Sequence, residues 1–90
     1  MVRFEWDPEK ARQIFKKHGV YFDEAATVFY DPLSATFDDP DPSRGEHRLI
    51  TVGVSSQGRL LVVAHTERGS AVRIIKARPA TAHERKKHEG

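Results

Sequence analysis

The sequence predicts an α+β domain of order β-α-α-β-β-β-β-α, in which two N-terminal helices pack on an antiparallel sheet and a short helix closes the chain. Three observations lead there. Two stretches of helical apolar spacing lie within the first 30 residues. Three β-type runs, separated by two polar turn segments, fill residues 46–77. Ninety residues without a repeat or linker make one domain, 1–90.

Residues 2–6 alternate apolar and polar side chains (Val2, Phe4 and Trp6 against Arg3 and Glu5), the period of a half-buried strand. Asp7-Pro8 then offers a capping acceptor followed by proline at the first helical position. Ala11, Ile14, Phe15 and His18 recur at helical spacing before Gly19, so a helix is expected over 8–18. Phe22, Ala25, Ala26 and Phe29 form a second stripe, with Asp23 and Glu24 in the first turn where the helix dipole favours acids. That helix should end near Asp31-Pro32.

A short strand is expected at 34–37, and the acidic, proline-broken stretch 38–45 reads as an exposed loop. The runs 46–54, 59–66 and 71–77 should form an antiparallel meander, turned by Ser55-Ser56-Gln57-Gly58 and Glu67-Arg68-Gly69-Ser70. Thr81-Ala82-His83-Glu84 matches a capping box and starts a last helix that is polar all round. Such a segment is a frayed tail, a nucleic-acid contact, or an element ordered by a partner.

Charge is segregated along the chain. Residues 21–46 hold one basic and seven acidic groups, whereas residues 47–90 hold nine basic and three acidic ones. A polyanion would bind the C-terminal half. With no cysteine, disulfides, thiolate metal sites and cysteine nucleophiles are excluded. The five histidines include one close pair, His83 and His88, whose spacing does not stack on a helix face, so no metal site is expected. Gly-rich phosphate loops and Gly-x-Ser-x-Gly elbows are missing too, and no cofactor is implied. The absence of a membrane-length apolar run and of a signal-type N-terminus leads us to expect a cytoplasmic protein.

Cleaving RNA without a metal requires a proton acceptor for the 2′-hydroxyl, a proton donor for the leaving 5′-oxygen, and cations for the phosphate. Candidate groups gather where the strands of the C-terminal half begin and end: Glu46, His47, Arg48, His65, Glu67, Arg68, Arg73, Lys76 and Arg78. A four-residue Ser55–Gly58 loop would set Arg48 opposite His65 and Glu46 opposite Glu67. A three-residue Glu67-Arg68-Gly69 loop with left-handed glycine would bring Arg73 to the face of His65. A two-residue Arg68-Gly69 turn would send Arg73 to the other face. The glycine-bulge loop is preferred, because arginine fits poorly at the first central position of a type I′ turn. Each candidate also has a quieter role: His65 as a hydrogen-bonded sheet residue, Glu67 in a surface ion pair, and Lys10 as a solvated helix lysine.

Taken together, Phe4-Glu5-Trp6-Asp7-Pro8-Glu9-Lys10-Ala11, Lys17-His18-Gly19-Val20, Phe22-Asp23-Glu24-Ala25, Glu46-His47-Arg48, Val52-Gly53, Gly58-Arg59-Leu60-Leu61-Val62-Val63, His65-Thr66-Glu67-Arg68, Arg73-Ile74-Ile75, Ala77-Arg78 and Glu84-Arg85 resemble the BrnT family of bacterial toxins. The resemblance runs nearly end to end. It implies a RelE-like fold, a growth-arresting endoribonuclease, and neutralisation by a BrnA-type antitoxin whose ribbon-helix-helix segment alone reads DNA. It further implies that activity depends on charged residues of the last strands and helix, here Glu67, Arg73, Arg78 and Arg85, to which the expected strand register adds His65. RNA binding is expected from Lys10, Arg48, Arg68 and Lys76. Trp6 is expected in packing. The sequence departs from the family pattern at Lys76, where a small residue is common, and in the loop 38–45. A homodimer or a heterotetramer with antitoxin fits the family. The competing function is a non-enzymatic basic module, or a decayed toxin retained for regulation.

Overall fold

Arg3–Glu5 (β1) and the helix Pro8–His18 (α1) open the chain in the computed structural model, which describes residues 2–40 and 47–89. The Asp7 carboxylate accepts from the Glu9 N–H at 3.0 Å, Pro8 occupies the first turn, and Gly19 ends the helix at φ 71°. The expected second helix is an α-helical turn and a half, Phe22–Thr27 (α2), that tightens into a 3₁₀ turn at Val28–Tyr30. Four strands follow: Ala35–Asp38 (β2), Leu49–Val54 (β3), Leu60–Arg68 (β4) and Ala71–Pro79 (β5). Ala82–Glu89 (α3) is last. The loop expected at 38–45 lies in part outside the described residues, as does Glu46 with its expected pairing to Glu67.

The strands form one sheet in the order β1-β5-β4-β3-β2. All neighbours are antiparallel except β1, which adds to the edge of β5 in parallel, Glu5 opposite Arg73. Because β1 covers only Ala71–Arg73, the remainder of β5 is an open edge.

Both hairpin expectations are corrected, and each loop is one residue shorter than expected. At the first turn Ser55 N–H donates to Arg59 O (2.8 Å) and Gly58, at φ 79°, donates to Ser55 O (2.9 Å). This is a three-residue loop with a left-handed glycine. Val54 therefore pairs with Leu60, and His65 faces Leu49 rather than Arg48. At the second turn Arg68 pairs with Ala71 around Gly69-Ser70. Gly69 has φ 60°, and no non-glycine residue among those described has positive φ, the sign pattern of a type II′ turn with glycine first. Arg73 consequently pairs with Thr66, on the opposite face from His65.

One irregularity then decides the surface. Between Ala64 and His65 the β4–β5 register slips, so that His65 pairs with Ile74 but Ala64 with Lys76, leaving Ile75 as the extra residue of a bulge on β5. In a regular strand residues 73 and 76 point to opposite faces. Here the bulge restores them to the same one.

The first two helices cover one face of the sheet. Ile14, Val20, Phe22, Ala25 and Val28 close over Leu61, Val63, Ile74 and Ala77, with Phe4, Trp6 and Phe29 around them. Trp6 meets Phe22 edge-on at 5.9 Å, consistent with the packing role expected for it. Gly53 marks the tightest approach: a Cβ there would lie 2.9 Å from both Ser34 Cβ and Val28 Cγ1. Two carboxylates tie the helical layer to the strands. Buried Glu24 accepts from Arg59 Nη2 (2.5 Å), Arg59 Nε (2.9 Å) and Ser55 Oγ (2.7 Å), and the bonds from Arg59 hold its pKa below the usual carboxylate range. Asp31 accepts from Val54 N–H (2.8 Å) and Leu33 N–H (3.0 Å), which likewise lowers its pKa.

Candidate functional site

The opposite face of the sheet carries a smaller apolar patch, Leu60, Val62 and Ala80 with Ile50 and Val52, and it is here that the cations collect. Thr66 and Arg73 are paired, then Ala64 and Lys76, then Val62 and Arg78, so the three basic residues of β5 follow one another along a single face. Arg68 extends the row by one pair toward the turn. Arg48, Lys76 and Arg78 line a cleft of about 200 Å³ together with Asp39, Ile50, Val62 and Ala64.

The cations differ in how they are held. Arg78 is clamped: Nη1 and Nη2 donate to Glu84 Oε1 and Oε2 at 2.7 and 2.8 Å. Glu84 also accepts from Thr81 N–H at 2.9 Å while Thr81 Oγ1 accepts from Glu84 N–H at 3.1 Å, so the capping box read in the sequence docks α3 as well as starting it. The Arg78 guanidinium, with the Thr81 N–H adding to it, holds the Glu84 pKa down at about 2. Arg73 approaches Glu5 at 4.0 Å with both side chains partly exposed, a weak pair. Lys76 is exposed and has no carboxylate within ion-pair distance among the described residues. The field of the row reaches His18 at the end of α1, whose pKa is lowered by burial and then by Lys17, Lys76 and Arg78.

Other sequence candidates fall elsewhere. His65 lies under the helices at 2% exposure, its Nε2 2.7 Å from Thr51 Oγ1, which in turn is 2.7 Å from Thr36 Oγ1. Phe29 packs edge-on against its ring at 4.8 Å, and burial lowers its pKa despite the opposing charge of Glu67. The arrangement is that of a hydrogen-bonded sheet residue, and it does not converge with the row. Glu67 is exposed at the end of β4 but pairs with Val72, on the helix side. Lys10 is exposed on α1. Arg85 is exposed on α3, whose residues His83, Glu84, Lys87 and His88 are the ones that turn toward the sheet. Those four, with Phe37 and Val52 across from them, are the residues that sequence reasoning did not single out for this face; their i, i+1, i+4, i+5 spacing was the available signal.

Among the described residues no three of His, Asp and Glu come together in a way that could hold a metal ion, and no helix is long and apolar enough to cross a membrane. A separate cleft of about 420 Å³ between α1 and α2, floored by Trp6 and Phe22, lies on the helix side, away from the row.

The molecule is thus a small α+β protein with α1 and α2 on one side of its sheet and, on the other, a cationic surface beside α3 that is suited to a polyanion. Residues 6–84 match the family of ribonuclease toxins, BrnT, of type II toxin–antitoxin systems, and the chain belongs to that family. The fold is shared with the Brucella abortus ribonuclease toxin BrnT, whose crystal structure at 1.1 Å resolution superposes with a TM-score of 0.69 at 23% identity over 90% of this chain and 99% of that one. No curated protein sequence matches the chain.

Proposed function

We propose that this BrnT-family toxin is a metal-independent endoribonuclease that holds the RNA backbone along the cationic face of the sheet, beside α3. The observation that carries the reading is the β5 bulge, which sets exposed Lys76 on one face with Arg73 and Arg78. Arg73, Lys76 and Arg78 bind the scissile phosphate and its neighbours and stabilise the charge that builds on the non-bridging oxygens, with Arg48 and Arg68 extending the path. The 2′-oxygen attacks phosphorus, its proton passes to a base, and the bond to the 5′-oxygen breaks as that oxygen takes a proton through solvent. The products are a 2′,3′-cyclic phosphate and a 5′-hydroxyl. His83, which faces the same groove as Arg78, is the base on this face, since an imidazole nitrogen can accept the 2′-hydroxyl proton. Glu84 is unsuited, being held as a weakly basic carboxylate by Arg78.

The partner is a BrnA-type antitoxin, and an acidic segment of it laid over the same row blocks the RNA path. DNA contact belongs to the antitoxin. Induced expression with mapping of RNA ends tests the reading: new 5′-hydroxyl ends and growth arrest are expected, both lost in Arg73→Ala and both suppressed by the antitoxin. Arrest that persists unchanged in Lys76→Ala and Arg73→Ala overturns it.

A further inference from the structure

The cationic row explains where a phosphate would lie but not why an apolar groove opens beside it. Between α3 and the sheet is a groove of about 810 Å³, floored by Phe37, Ile50, Val52 and Val62 and roofed by His83 and Lys87. It joins the cationic cleft directly: Ile50, Val62 and Arg78 line both. The helix above it buries none of its own residues, and Phe37 remains 50% exposed, so α3 does not fill the space. A phosphate gains nothing from such a floor. A nucleobase gains from both surfaces, because its faces stack on aromatic and apolar side chains while its edge takes hydrogen bonds.

We propose that the groove is a base-binding subsite, which accepts the nucleobase adjoining the phosphate held at Lys76 and Arg78. The inference rests on the reading of the row as the RNA backbone path. Phe37 stacks on the base, Ile50 and Val52 complete the apolar seat, and Lys87 meets the base edge from the roof. Glu84 is not available for that task, since Arg78 and Thr81 already occupy both its oxygens. The charge pattern suits a polynucleotide: Arg78 stands at the junction of cleft and groove, where a nucleotide joins its anionic and aromatic parts. Cleavage by this chain is thereby sequence-selective, with the preference written in β2 and α3 and the anchoring in β5.

The test compares full-length wild type, Phe37→Ala and Lys87→Ala on RNA of mixed sequence, reading the base composition at the cut site and the KM. Phe37 is half exposed on an edge strand, so its replacement leaves the fold intact, which an unshifted melting curve checks. A base preference in the wild type that flattens in Phe37→Ala, with KM raised about ten-fold and kcat changed less, is the expected result. Lys87→Ala should alter which base is preferred. Failure of the wild type to cut any RNA overturns the ribonuclease reading and the subsite with it. Cleavage by the wild type with preference and KM unchanged in both variants overturns the subsite alone. The subsite is equally overturned if Phe37→Ala loses only its inhibition by the antitoxin, which would make the groove a seat for a protein segment.

Discussion

The two faces of this sheet are built from the same strands, yet they are finished in opposite ways. On the helix side Leu61, Val63, Ile74 and Ala77 are buried, and the polar groups there, Thr51 and His65, hydrogen-bond to one another. On the other side Arg73, Lys76 and Arg78 follow one another with no comparable cover. A residue's chemistry here is therefore decided by which way its strand turns it. A histidine and an arginine at positions 65 and 73, both suited by type to RNA cleavage, are separated by the thickness of the sheet. The buried one loses access to substrate and gains a structural task.

If that division is right, substitutions on the two faces should damage different quantities. The largest effect belongs to the cationic face: Arg73→Ala should lower RNA cleavage by about 10²-fold, the scale of removing one transition-state donor, and Lys76→Ala should lower it less, both with melting temperature unchanged. A cleavage loss accompanied by unfolding would contradict the division. Next comes the helix side, where Glu24→Ala removes the buried carboxylate that anchors Arg59 and Ser55. Breaking such a pair costs about 3 kcal/mol, at the low end of the range because the Arg59 side chain is 39% exposed; denaturant melts would report it.

His65→Ala separates the two faces more finely. Losing its bond to Thr51 and its packing on Phe29 should cost about 2 kcal/mol of stability, while cleavage per folded molecule stays near wild type. Catalytic loss with full stability would return His65 to the chemistry. The smallest effect is at the hinge between the faces. Glu84 has a native pKa of about 2, below its unfolded value, so its contribution is present above that unfolded value and is lost as pH falls through 2. With about a third of both side chains exposed, the contribution is of order 1 kcal/mol after screening. Amide exchange should show α3 protected at pH 5 and released between about pH 4 and 2, ahead of the core.

Much of the fold was legible because its signals are local. Asp7-Pro8 and Gly19 bound α1 where the caps said they would, and Thr81 with Glu84 begins α3. The site was legible only in part. Arg73, Lys76 and Arg78 stood out as cations in an apolar strand, but Glu67, Lys10 and Arg85 lie off their face and His65 lies beneath it. The Gly69-Ser70 turn carried a readable sign, glycine at the first central position, whereas a loop of Glu67-Arg68-Gly69 places Arg73 on the wrong side.

Capping, periodicity and charge act within a few neighbouring residues, and so the chain's own order of amino acids set the elements, their succession, the apolar halves that bring helices to the sheet, and the cationic composition of the last third. The register of the two hairpins and the bulge at Ile75 came only with tertiary packing. Side chains alternate with a period of two, so a slip of one residue exchanges the faces, and the packing of Ile74 and Ala77 under the helices fixes which slip is made. That packing is what turns Arg73, Lys76 and Arg78 to a common side.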